Sequence, residues 1–158
     1  EVVKAIQKGV ASGALTEDAL FDANYRPVPG ASPEQFRNGF VDFADRAVRP
    51  LLDRQTSRDP TIFGCAIVDI NGFLPTHISL RSQPQRPGQT DWNNEHARNR
   101  RFFLDRQSAR AMRRDCDYVV CTYRQDLGGG RYRALRSVLV PIEFGGRRWG
   151  LYELGYLI

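Results

Sequence analysis

The chain is poor in the features on which membrane insertion and most catalysis depend. No run of about 20 apolar residues occurs, so the pattern holds no membrane-spanning helix, and residues 1–10 carry too much charge for a signal peptide. Histidine is limited to His77 and His96, and cysteine to Cys65, Cys116 and Cys121, with no C-x-x-C pair and no zinc-ligand spacing. An odd number of cysteines in apolar or strand-like surroundings predicts free thiols in a reducing compartment and hence a cytoplasmic location, a periplasmic one being the alternative. No nucleophile, base and orienting group form a recognisable set, which argues against an enzyme. Lysine is nearly absent: of 23 basic residues only Lys4 and Lys8 are not arginine. The first residue is Glu rather than Met, as expected of a fragment of a longer protein.

What is present fits one globular unit. A length of 158 residues with 41% hydrophobic content supports a single domain with a real core. The net charge of +5 is carried by arginine, whose planar fork suits carboxylate or phosphate. Arginines interspersed with Asp and Glu are equally the mark of an ordinary solvated surface.

The stretch Val68 to His77 is the most informative. Asn71-Gly72 between apolar runs predicts a two-residue β-hairpin, because both residues accept positive φ cheaply. Pro75, Thr76 and His77 then lie on the return strand, and an Asx-type bond from Asp69 to the turn explains that carboxylate without catalysis. Residues 1–10 read as an amphipathic helix and residues 25–30 as an extended, proline-bearing linker. Ser32-Pro33-Glu34-Gln35 reads as a helix start, followed by Phe36, Phe40, Phe43, Ala44, Ala47, Val48, Leu51 and Leu52 at helical spacing, with a kink at Pro50. Strands are expected over 61–70, 73–77, 118–125, 132–142 and 147–156, with a glycine-rich turn at 126–130. Residues 78–91 read as a long loop, with short helices capped by Asn93 or Asn94 through Leu104 and by Ser108 through Arg114. Residues 1–31 thus form a helix and linker ahead of the main globular unit at 32–158.

The residues V-D-I-N-G-F-L-P-T-H, Ser82-Gln83-Pro84, Asn99-Arg100-Arg101 with Phe103 and Asp105, Thr122-Tyr123-Arg124 with Asp126 and Gly128, Pro141-Ile142 and Arg147-Arg148-Trp149-Gly150 resemble a PAS/Cache-like sensory domain of bacterial methyl-accepting chemotaxis receptors. L-F-D-A-N-Y-R-P-V-P-G is similar to the segment preceding that domain, so the resemblance runs from about Leu20 to Tyr156. It implies an α+β fold, a five-stranded antiparallel PAS/single-Cache-like sheet with N-terminal helices and a helical crossover over one face. It also implies a small-molecule ligand, possibly anionic, held between sheet and crossover, a helical signalling domain as output, and a homodimer. Ile78, Cys121, Gln125 and Arg148 stand where the family pattern has Asn, Gln, Arg and His. The missing second histidine argues against a two-histidine haem or metal site, and no cofactor is assigned.

The candidate ligand-binding residues are His77, Arg81, Arg101, Tyr123, Arg124 and Trp149. His77 is a titratable donor or simply satisfied by backbone. Tyr123 and Arg124 alternate on one strand, so only one faces the cavity, and Arg124 would clamp a carboxylate in bidentate fashion. Trp149, Trp92 and Tyr152 line a pocket or fill the core. Arg81, Arg98, Arg100 and Arg101 form an anion funnel or a solvated face. Two other functions compete. Arginines at 98, 100, 101, 106, 110, 113 and 114 suggest phosphate tracking on nucleic acid, although Asp105, Asp115 and Asp117 interrupt the patch. The two N-terminal helices alternatively make a dimerisation bundle.

Overall fold

Runs rich in β-branched and aromatic residues pack best on a pleated surface, and four of them build the centre of the molecule. The computed structural model describes residues 1–113, 116–126 and 132–158, without the side chains of Tyr123, Gln125 and Asp126. Strands β3 (Ile62–Asp69), β6 (Val119–Asp126), β7 (Tyr132–Phe144) and β8 (Arg147–Leu157) form one antiparallel sheet in the order β3-β8-β7-β6. The expected turn at 126–130 lies outside the described residues, except that Asp126 ends β6.

Period-two alternation sends neighbouring side chains to opposite faces, and each face of this sheet carries its own core. Cys65, Ile67, Ile142 and Trp149 pack against Ile6 of helix α1 (Val2–Ala11) and against Phe40, Phe43, Val48 and Leu52. On the other face Ala66, Val68, Leu139 and Leu151 meet Ala111 and Met112 of α6 (Arg106–Met112). Residues 1–31 therefore share the core of the rest: Val2, Ile6 and Gly9 of α1 and Leu20 of α2 (Glu17–Leu20) are buried, and a Cβ at Gly9 would stand 2.3 Å from the Phe43 ring. Among the described residues no helix is long and apolar enough to cross a membrane.

Three local expectations are corrected. The return from Asn71-Gly72 is not a two-residue hairpin that adds a full fifth strand. Asp69 Oδ1 accepts from the Asn71 and Phe73 amides at 2.8 and 2.9 Å, and the Gly72 amide donates to the Asp69 carbonyl at 2.9 Å. That carboxylate takes the Phe73 N–H a ladder would need, and β4 (Phe73–Leu74) pairs instead with β5 (Arg101–Phe102). Only a single antiparallel bridge, Ala66 with His77, returns to β3. Gly72 is held at φ +83°, with Leu104 Cβ 2.7 Å from where its own Cβ would stand, so no other residue fits there.

The helix expected from Pro33 begins later. Phe36 donates its amide to the Arg100 carbonyl at 2.7 Å and Gln35 Nε2 donates to the Asn99 carbonyl at 2.9 Å, so partners across the chain hold residues 35–37 extended. There β2 (Phe36–Arg37) pairs with β1 (Arg26–Pro27). The helix then runs as α3 (Val41–Phe43), a π turn at Ala44–Val48 and α4 (Arg49–Thr56). Pro50 lacks the N–H an α-helix interior needs, and the wide turn just ahead absorbs it, Arg49 donating back to the Ala44 carbonyl.

The crossover is also less helical than its residues suggest. After a 3₁₀ turn at Ser79–Arg81 it holds α5 (Thr90–His96), β5 and α6, the last capped by Asp105. Arg100 adopts φ +63°, a conformation no helix tolerates, and donates its amide to the Leu74 carbonyl at 2.6 Å. The Arg98 amide donates to the Arg81 carbonyl at 2.8 Å. Tertiary pairing thus ends the helix before the expected Leu104.

Asp69 also accepts the Tyr25 hydroxyl at 2.6 Å, so one carboxylate ties the 20–30 segment to the turn. Asp69→Ala should lower stability by roughly 2 to 4 kcal/mol, because buried amides lose their acceptor. Urea denaturation should show that loss, with a smaller one of about 1 kcal/mol for Tyr25→Phe.

Candidate functional site

Side chains on the crossover face of the sheet shrink where β3 meets β8. Gly64 and Gly155 are direct partners there, flanked by Ala66 and Ser137. Glycine in a strand interior costs backbone entropy and often marks close approach of another group. Here steric necessity is not the reason. A Cβ at Gly155 would meet nothing nearer than Ser137 Oγ at 3.7 Å, and one at Gly64 nothing nearer than His77 Cε1 at 3.7 Å. Gly150 is the contrast, since its Cβ would fall 1.9 Å from the Val68 carbonyl oxygen.

The space left open is a cavity of about 120 Å³ lined by Phe63, Gly64, Ala66, His77, Arg81, Arg98, Glu153 and Gly155, with Cys65 at its edge. A neighbouring cavity of about 330 Å³ lies under the start of α6, lined by Asp105, Ser108, Cys121, Leu139 and Glu153 among others. Glu153 is common to both. Its Oε1 accepts the Ser137 hydroxyl at 2.7 Å, and none of the ion pairs among the described residues includes it. Burial holds its carboxyl above the usual range; Asp105 pushes the same way, while the Ser137 bond and Arg98 oppose. Burial likewise raises the Cys121 thiol, with Glu153 and Asp105 adding to it.

His77 is fixed by its own backbone. Nδ1 accepts the Ile78 amide at 2.8 Å, which leaves the ring proton on Nε2. Burial first, then the charges of Arg98 and Arg81, hold the imidazole down to about 3. It is a neutral group at physiological pH.

The arginines of the crossover lie over aromatic rings. The Arg81 guanidinium stands 5.0 Å from the Phe63 centroid and donates to the Glu95 carbonyl at 3.2 Å. Arg98 and Arg101 lie 4.7 and 5.2 Å from the Phe103 ring. Arg101 Nη2 donates to Asn94 Oδ1 at 3.2 Å, its buried Nη1 has no hydrogen-bond partner among the described residues, and burial lowers its pKa.

Of the residues named from sequence, His77 and Arg81 come together at the cavity and Arg101 sits beside Arg98 on Phe103. Arg124 does not join them: it is exposed, opposite Ala134, and stacks 4.0 Å over Tyr132. Tyr123 pairs with Leu135 in the ladder, and its side chain lies outside the described residues. Trp149 faces the helices, donates Nε1 to the Leu20 carbonyl at 2.9 Å and meets Phe40 edge-on. Tyr152 packs on that same side. Trp92 stacks on His96 at 4.4 Å, away from the cavity. Sequence reasoning missed Glu153, Ser137 and the glycine pair. Their signal was a lone carboxylate and a glycine two residues apart within an otherwise apolar strand.

Among the described residues no cluster of three His, Cys, Asp or Glu side chains is placed to hold a metal ion. No protein-family model and no curated protein matches the chain.

His77 generates a pH prediction. Its folded-state pKa of about 3 lies below the roughly 6.5 of an unfolded histidine, so the unfolded chain takes up the proton first. The stability His77 supports is complete above about pH 6.5 and is lost as pH falls toward 3, at up to about 1.4 kcal/mol per pH unit. Denaturation midpoints followed between those limits should show a flatter acid limb for His77→Gln than for the parent chain.

Proposed function

We propose that this chain is the ligand-sensing module of a bacterial chemotaxis-type receptor, with a PAS/Cache-like fold that binds a small molecule between sheet and crossover. The observation that carries this reading is the facing pair Gly64 and Gly155, which leaves a partly open hollow beside Glu153, His77, Arg81 and Arg98. Small-molecule sites are concave and largely pre-formed, with a few convergent polar groups. The Ala66–His77 bridge sets an extended segment beside the outer edge of β3, in keeping with a PAS-like strand order. The motif resemblance from Leu20 to Tyr156 supports the same reading.

Ligand binding has a physical route to the helices. Asp45, in the π turn, accepts from Arg49 and from Arg100 of the crossover, the latter at 2.8 Å, and Arg49 Nε donates to Thr76 at 3.1 Å. A ligand that draws the crossover toward the sheet displaces Arg100 against Asp45 and so loads the helix that leads into β3. A binding event shifts such an equilibrium by its differential affinity for the two arrangements. The output is the helical signalling domain of the parent receptor, acting as a homodimer on the cytoplasmic side. The module performs no chemistry of its own.

The test exploits the space at Gly155. Thermal-shift screening against small carboxylates, amines, amino acids, purines and haem should reveal a ligand that raises the melting temperature by about 5 to 10 °C near 100 times its Kd. Gly155→Ala should fold at least as stably as the parent chain and respond more weakly, and Gly155→Val should lose the response. An undiminished response in Gly155→Val would remove the ligand from this hollow.

A further inference from the structure

The two edges of the central sheet are treated differently. Along β3 the His77 segment lies beside the strand, bridged to Ala66, and the ladder with β8 is irregular between Ile62 and Gly64. Sheet edges are kept from pairing with other chains by such coverings, by bulges, by proline or lysine, or by being short. No such device is seen at β6 among the described residues. Its eight residues keep an unbroken register with β7, from Val119 to Asp126, and pair with no other described strand. The strand holds neither proline nor lysine, and its first part, Val-Val-Cys-Thr-Tyr, is uncharged and strongly strand-forming.

Apolar surface runs up to that edge. Val119 and Cys121 pack toward α6, so alternation turns Val120 to the helical side, in one row with Val138 and Leu154. Leu154 joins the helical core, but the row emerges at Val120, which is 48% exposed, with Val140 exposed nearby. An antiparallel strand edge is its own complement when turned about a two-fold axis normal to the sheet. Such an axis keeps each face on its own side, so residues of like orientation oppose one another. A register centred on Arg124 sets two guanidinium groups together, which is unfavourable. One centred on Val120 places that residue against Val120 of the partner subunit, joins the two apolar rows and carries both Arg124 side chains to the ends of the contact. We propose that two copies of this chain pair edge to edge through β6, with the two-fold axis at Val120. The sensing reading calls for a homodimer, and this inference rests on it only for that; the hollow and its ligand do not depend on β6.

Sedimentation equilibrium of the whole chain at up to about 100 μM should show a dimer. Val120→Arg and Val120→Glu each set like charges on the axis and should weaken self-association by about tenfold or more. Val120 is half-exposed, so both variants fold, and melting curves confirm it. An equimolar mixture of the two variants should recover the dimer, because opposite charges then meet on the axis. Undiminished association of either variant alone places the interface elsewhere and overturns the proposal. So does a mixture that stays monomeric, or a parent chain that is monomeric throughout; in that last case the homodimer falls, while the ligand screen and its Gly155 variants still decide the sensing reading.

Discussion

A sheet face that lacks side chains at its centre is the constraint on which the other features depend. Gly64 and Gly155 are partnered across β3 and β8, and no neighbouring atom demands that either be glycine. Flanked by His77, Arg81 and Arg98, the gap becomes a partly open hollow. The hollow in turn admits Glu153, which could not be buried against close-packed apolar neighbours without a far larger penalty. It also explains the neutral His77, whose ring faces the same space and whose proton is expelled by burial and two guanidinium groups.

The two faces of the sheet divide the work. The helical side is closed by Phe40, Phe43, Leu52 and Trp149, with the Trp149 indole bonded to the Leu20 carbonyl. On the crossover side Val68, Leu139 and Leu151 of the sheet pack against Leu74 and against Ala111 and Met112 of α6. Two polar links join the sides around the edge of the sheet. Asp69 holds Tyr25 and the turn together, and Asp45 holds Arg100 and Arg49. Both are carboxylates with more than one partner, so displacement of the crossover is felt at the helix and at the segment entering it. Packed proteins transmit a small shift by switching contacts between discrete arrangements rather than by continuous deformation.

Much of the sheet was legible because its strands are long, apolar and bounded by turn residues: the expected 61–70 and 147–156 correspond to Ile62–Asp69 and Arg147–Leu157. The reversal at Asn71-Gly72 was legible as a reversal, but its pairing was not, because an Asp69 bond to Phe73 diverts the chain toward β5. The helix start at Pro33 had the right local chemistry and was overridden by Arg100 and Asn99 from over 60 residues away. Arg124 could not be assigned a face from alternation alone, and the ladder with Ala134 sets it outward. Glu153 escaped notice because one acidic residue in a strand reads as an exposed position. Only the neighbouring elements reveal that it lines two cavities and bonds to Ser137.

The central claim is that the Gly64–Gly155 gap is the place where this protein meets its ligand. Backbone amide resonances of those two glycines, followed by NMR during titration with any molecule that stabilises the domain, address it most directly. The account predicts saturable shifts confined to Gly64, Gly155 and residues around His77 and Glu153, with the Trp149 indole N–H undisturbed. Shifts centred on Trp149 and the helices, with both glycines unmoved, would contradict it.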